Sequence, residues 1–166
     1  GDGAVYPNFI RYTKNDGKTI LEPQDDAAYM TRSLAEEAEA LIDEGAQEPE
    51  IRDWVNKHSE RQKTLTGGYC FNVCFTSPDL IVVPGYEVED GFDIHTRTWY
   101  DGALDAGVGE VYISEPYVDL ASEKVCYTSV VLLKDGISTI SLDFTMDATQ
   151  NMISALEGEN GEAIIV

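Results

Sequence analysis

From position 24 to position 65 the apolar residues return every three or four places. Ala27, Met30, Leu34, Ala38, Leu41 and Ile42 form one stripe, the spacing of a long helix that buries a single face. Asp25 and Asp26 suit the positive N-terminal end of that helix, and Gly45 stops it. Pro49 opens a second helix with Ile51, Trp54, Val55 and His58 on one side. On such a stripe His58 reads as a packed or half-exposed histidine. The period changes at Gly67-Gly68. Beyond it Tyr69, Phe71, Val73 and Phe75 alternate with Cys70, Asn72 and Cys74, a strand with two distinct faces. Ser77-Pro78-Asp79 turns the chain into a short apolar run, Leu80 to Val83, which Pro84-Gly85 ends. A short helix is predicted from Arg97 to Ala106, a strand from Glu110 to Ser114, and a loop from Glu115 to Asp119. Lys124 to Leu133 and Ile137 to Thr145 are predicted as a hairpin turned at Lys134-Asp135-Gly136. Asp147 suits the cap of a helix ending near Leu156, and Glu162 to Val166 has strand character. Long helices followed by strands with tight turns predict an α+β fold, an antiparallel sheet covered by helices. The division falls into a helical segment, residues 1–66, and a sheet-containing lobe, residues 67–166.

Composition changes this picture little, because 166 residues with 43% hydrophobic positions suit one ordinary domain. Charge changes it more. With 31 acidic against 11 basic residues the net charge is −20, which repels phosphate backbones and anionic lipid and removes nucleic acid from the expected partners. No apolar run approaches the roughly 20 residues of a membrane helix. Cys70, Cys74 and Cys126 are expected to be small buried hydrophobes, with Cys70 and Cys74 on the same side of their strand but too far apart to bridge. Two histidines and no CxxC pair give zinc no recognisable ligand set, and calcium lacks its EF-hand pattern. GxSxG, HExxH and phosphate-cradling glycine loops are likewise absent, so an enzyme is not expected.

Residues 68–166 hold 17 acidic residues and three basic ones, Arg97, Lys124 and Lys134. Arg97 lies among Phe92, His95, Trp99 and Tyr100. A guanidinium fork in such company either neutralises a neighbouring Asp or receives a bound anion. Asp143 interrupts the alternation of Ile140, Leu142 and Phe144, so it points away from the packed core; solvent or a pocket is the alternative on that face.

Arg97-x-Trp99-Tyr100-x-x-Ala103, then Glu115-Pro116-Tyr117-x-Asp119 and Thr128, resembles the pattern of double Cache extracellular sensor domains of bacterial signalling receptors. The resemblance runs from about residue 24 to the end. It implies a PAS-like antiparallel sheet flanked by helices, with a long N-terminal helix rising from a membrane. It also implies that the chain is the membrane-distal lobe, ending where a membrane-proximal lobe begins. In amino-acid-binding members the motif's arginine and tryptophan hold the ligand α-carboxylate, with a tyrosine nearby; Arg97, Trp99 and Tyr100 match. Tyr117, Asp119 and Asp143 match the groups that hold the ammonium. The family pattern carries a tyrosine where this chain has Phe92, for which Tyr86 and His95 are the candidate substitutes.

The implied function is an extracellular or periplasmic sensor of an amino acid or related carboxylate, in a membrane-anchored receptor whose output is a kinase, cyclase or chemotaxis domain. The alternatives are an organic-acid or amine sensor, and a ligand-free spacer or dimerisation lobe. No cofactor is implied, and a homodimer through the long helix is a further expectation. Each site residue also has a plainer reading: Trp99 and Tyr100 as plugs of the sheet, Tyr117 as a loop anchor, Asp119 as a turn residue, Asp143 as a solvated strand residue.

Overall fold

The computed structural model describes residues 11–13, 19–21, 23–119 and 122–146. The helix expected after Asp147 and the strand expected at Glu162 to Val166 lie outside the described residues. A short antiparallel pair, β1 (Arg11–Thr13) with β2 (Thr19–Leu21), precedes the helices. The apolar stripe becomes α1 (Pro23–Asp43), ended where Gly45 takes the left-handed conformation, φ +92°. The second stripe becomes α2 (Glu48–Leu65), where the Glu50 carboxylate accepts from the Gln47 backbone N–H at 2.8 Å.

The main sheet is antiparallel and contains β3 (Cys70–Thr76), β4 (Ile81–Val82), β5 (Val111–Ile113), β6 (Tyr117–Val118), β7 (Val125–Leu132) and β8 (Thr139–Thr145). Its strand order is β4-β3-β8-β7-β5, with β6 also paired to β7. This is the α+β arrangement that the sequence pattern predicts and the PAS-like sheet that the resemblance implies. The β7–β8 hairpin closes at Asp135, whose carboxylate accepts from the backbone of Ile137 and Ser138 and from the Ser138 hydroxyl. Three hydrogen bonds to the charged form hold its carboxyl below the usual range against the opposing effect of burial.

Both long helices cover one face of the sheet. Leu34, Ala35 and Ala38 of α1 and Ile51 and Val55 of α2 share one core with Val73, Phe75, Val131, Ile140, Leu142 and Phe144. Each large aliphatic side chain buried there contributes about 1.5–3 kcal/mol, so the stripe holds the helices on the sheet. His58 sits within this layer, 7% exposed, beside Trp54 and 3.4 Å from the Glu37 carboxylate of α1; burial lowers its pKa. Thr31 of α1 donates to Ser129 of β7 at 2.7 Å. Among the described residues no helix is long and apolar enough to cross a membrane.

Three expectations are corrected. The stretch from Glu115 to Asp119 is not all loop: Tyr117 and Val118 pair with Cys126 and Val125, because the edge of β7 offers unpaired backbone groups there. The short helix starts one residue later, as α3 (Thr98–Ala106), and Arg97 is its extended cap residue, φ −99° and ψ 112°. Cys70 and Cys74 do not share a side. The β3–β8 register shifts between Cys70 and Asn72, and this bulge reverses the parity. Cys70 lies opposite Phe144 and joins the helix-facing core, while Cys74 lies opposite Ser141 on the other face. Cys70, Cys74 and Cys126 are all free and buried.

One glycine is required by close approach. A Cβ on Gly102 of α3 would fall inside the van der Waals envelope of the Tyr112 ring on β5. Gly102→Ala is expected to cost about 1 kcal/mol net, the displaced ring outweighing the gain of roughly 1 kcal/mol in helix propensity. Urea unfolding of the variant measures it; an unchanged or raised midpoint contradicts the packing argument.

Candidate ligand-binding cavity

The sheet face opposite α1 and α2 carries small polar side chains where a core would carry aliphatic ones. Strand parity places Cys74 and Thr76 of β3 and Ser141 and Asp143 of β8 on that face. The chain from Ile81 through Ile94, the cap of α3 and the β6 turn fold over it, leaving a cavity of about 60 Å³. Arg97, Trp99, Tyr117, Asp119 and Asp143 all line it. Tyr100 does not. Consecutive helix residues point about 100° apart, and Tyr100, 1% exposed, instead donates its hydroxyl to the Ile137 carbonyl at 2.7 Å. Of the two candidates to replace the missing tyrosine, Tyr86 lines the cavity; His95 does not, its Nδ1 lying 2.5 Å from the exposed Asp101 carboxylate.

Arg97 reaches the cavity because its backbone is extended between a 3-10 turn at Ile94–Thr96 and the first turn of α3. Its guanidinium lies over the Tyr117 ring, 5.1 Å from the centroid. Among the described residues it forms no salt bridge. Tyr117 is fixed by a short hydrogen bond to Thr128, and Thr128 donates onward to Asp143 at 2.8 Å. Asp119 accepts from the Ser122 backbone N–H at 2.7 Å.

Asp143 is 6% exposed. Burial pushes its carboxyl up to about 7, and the charge of Asp119 pushes the same way; hydrogen bonds from Thr128, Asn72 and Cys74 pull against them. The donors that face it are neutral. Among the described residues no cationic side chain is paired with it. Burial and the Asp143 charge hold the Cys74 thiol well above its ordinary value, so it stays protonated, a donor rather than a nucleophile. The same two causes push Cys126 up to about 12.

The motif therefore brings five of its six candidate residues to one cavity. Cys74, Thr76 and Ser141, not singled out for the cavity from the sequence, follow from the alternation of β3 and β8 once their register is known. Ile81, Val83, Val88 and Ile94 carried no signal beyond ordinary hydrophobicity.

A PAS-like sheet with the two long helices on one face and a small, partly open cavity on the other is a fold that this chain shares with solved sensory domains. Among the solved structures similar to it are chemoreceptor domains. The sensory domain of the Campylobacter jejuni chemoreceptor Tlp3, solved with isoleucine bound, superposes with a TM-score of 0.61 at 20% identity, over 77% of this chain and 54% of that one. The ligand-binding domain of the Pseudomonas aeruginosa amino acid chemoreceptor PctC, in complex with GABA, gives 0.57 at 20% identity, over 75% and 56%. In sequence, the chain is 30% identical over 86 residues to the methyl-accepting chemotaxis protein McpB of Bacillus subtilis and 36% identical over 87 residues to TlpB of the same organism. These matches cover 51% and 52% of this chain and 13% of each relative. The chain thus spans a small part of the length of the curated relatives it matches. No family model matches it.

Proposed function

We propose that the chain is the small-molecule sensor portion of a bacterial transmembrane receptor, facing the extracellular or periplasmic side, and that its cavity binds an amino acid. One observation carries this reading. Among the described residues, a half-buried guanidinium without a carboxylate partner and a buried carboxylate without a cationic partner line the same cavity. The buried carboxylate is costly to leave ionised alone, the guanidinium fork is free to accept an anion, and a zwitterion satisfies both at once. Arg97 takes the ligand carboxylate in two hydrogen bonds, and Asp143 and Asp119 take the ammonium beside the Tyr117 ring. The similarity to chemotaxis receptors and to amino-acid-bound sensory domains supports the same assignment. Membrane anchoring and a homodimer through α1 belong to this reading as proposals about the parent receptor. Binding acts on signalling only through different affinity for two conformations of the lobe.

A thermal-shift screen of amino acids, organic acids and amines tests it. A ligand that binds only the folded lobe stabilises it by about 2.7 kcal/mol at one hundred times its dissociation constant. At least one amino acid is expected to raise the melting temperature; silence across the whole screen favours the spacer reading. Phe92 lines the cavity, so Phe92→Tyr places a hydroxyl in its wall. Amino-acid affinity is expected to rise by about twofold to tenfold, one hydrogen bond at 0.5–1.5 kcal/mol, as read by calorimetric titration. Weaker binding would show that the added hydroxyl finds no partner on the ligand.

A further inference from the structure

Strand order gives the cavity two unlike ends. Asp143 is on β8, and Tyr117 and Asp119 belong to the turn that pairs with β7. On the other side β3 separates β8 from β4, two strand spacings or about 10 Å across. That far end is walled by Ile81 of β4, by Val83, Val88, Phe92 and Ile94, and by the Tyr86 ring, whose hydroxyl is uncharged. The lining contains three charged side chains, Arg97, Asp119 and Asp143. An amino acid's own carboxylate and ammonium use all three, so among the described lining residues no charged group remains for a side chain directed toward β4. Arg52, Asp79, Glu87, Glu89 and Asp90 line a separate groove that shares Ile81, Tyr86, Val88 and Phe92 with the cavity. The free space of about 60 Å³ holds roughly four to six waters, the scale of a small amino acid rather than a long one.

We infer that the β4 end is the side-chain subsite, and that it selects α-amino acids with a small uncharged aliphatic side chain, alanine to valine in size, against acidic and basic ones. The inference rests on the amino-acid reading of the cavity and adds its specificity. A carboxylate or guanidinium directed at Ile81, Val88 and Phe92 loses its hydration and gains no counter-charge. A methyl or isopropyl group replaces contacts there at no such cost. Val88, half-buried on the connection between β4 and α3, is the position where a change of wall chemistry disturbs the sheet least.

Calorimetric titration of the 166-residue chain at pH 8 with L-alanine, L-valine, L-aspartate and L-arginine decides it. Alanine or valine is expected to bind at least tenfold more tightly than aspartate and arginine. Val88→Asp is expected to lose at least tenfold in valine affinity and to narrow the gap to arginine. If arginine or aspartate binds the unaltered chain within tenfold of valine, and Arg97→Ala removes that binding, the specificity inference is overturned while the amino-acid site stands. If none of the four binds, and no other amino acid does, the site reading fails and the subsite with it.

Discussion

Arg97→Ala is expected to abolish amino-acid binding while leaving the lobe folded. The two effects separate because the guanidinium forms no salt bridge among the described residues. Its main contact in the protein is the Tyr117 ring, worth about 0.5–1 kcal/mol. A ligand carboxylate left in the cavity without its partner loses about 3–5 kcal/mol, a factor of roughly 150 or more in affinity. Titration calorimetry should show no heat at ligand concentrations that saturate the unaltered chain, and thermal melting without ligand should move by only a few degrees. Arg97→Lys should not restore binding, since a point charge lacks the planar fork. Retained affinity in Arg97→Ala would put the carboxylate elsewhere and remove the basis of the site.

Asp143→Asn is expected to stabilise the empty lobe at pH 8 and to weaken ligand binding. With its carboxyl raised from 3.8 to about 7, the folded lobe holds the Asp143 proton more tightly than the unfolded chain does. The stability this group contributes is therefore fully present below about pH 4 and is lost as pH rises to about 7. Asparagine removes the penalty of an ionised buried group, so its melting temperature should exceed that of the unaltered chain at pH 8. Ligand binding runs the other way, because an ammonium needs the ionised carboxylate. Amino-acid affinity should climb between pH 6 and pH 8, approaching tenfold per unit on the acidic side and levelling above 7. In Asp143→Asn this climb should disappear, and affinity at pH 8 should fall by roughly tenfold to a hundredfold, the loss of a hydrogen bond to a charged group. A pH-independent affinity in the unaltered chain would show that Asp143 does not meet the ammonium.

These two expectations describe a site that trades stability for binding. Thr128 of β7 donates to Asp143 on the cavity face, and the next residue, Ser129, accepts from Thr31 of α1 on the helix face. The cavity-facing carboxylate and the long helix are thus joined through two adjacent side chains of one strand, a short path by which binding at the proposed site would reach α1.

The periodicity of the chain was enough for the architecture. Helical spacing at Ala27 to Ile42 and at Ile51 to His58, and alternation in β3, β7 and β8, follow from which positions must face a common core, and these are local properties. The charged lining of the cavity was legible for the same reason: Arg97 stands out in an acidic half, and Asp143 takes the polar side of an alternating strand. What local pattern could not supply was decided by packing between distant segments. The bulge before Asn72 put Cys70 and Cys74 on opposite faces, because register is set by the partner strand β8. The turn of α3 admitted Trp99 to the cavity and sent Tyr100 to Ile137, because the helix is oriented by its seat on β5 and β7. The apolar end of the cavity depends on Val83 and Val88 meeting Phe92 and Ile94 across a folded connection, which no periodicity records. Sequence alone determined which residues seek a core and which carry charge; tertiary structure decided which of them share a cavity, because contact across a sheet depends on register and closure rather than on neighbours in the chain.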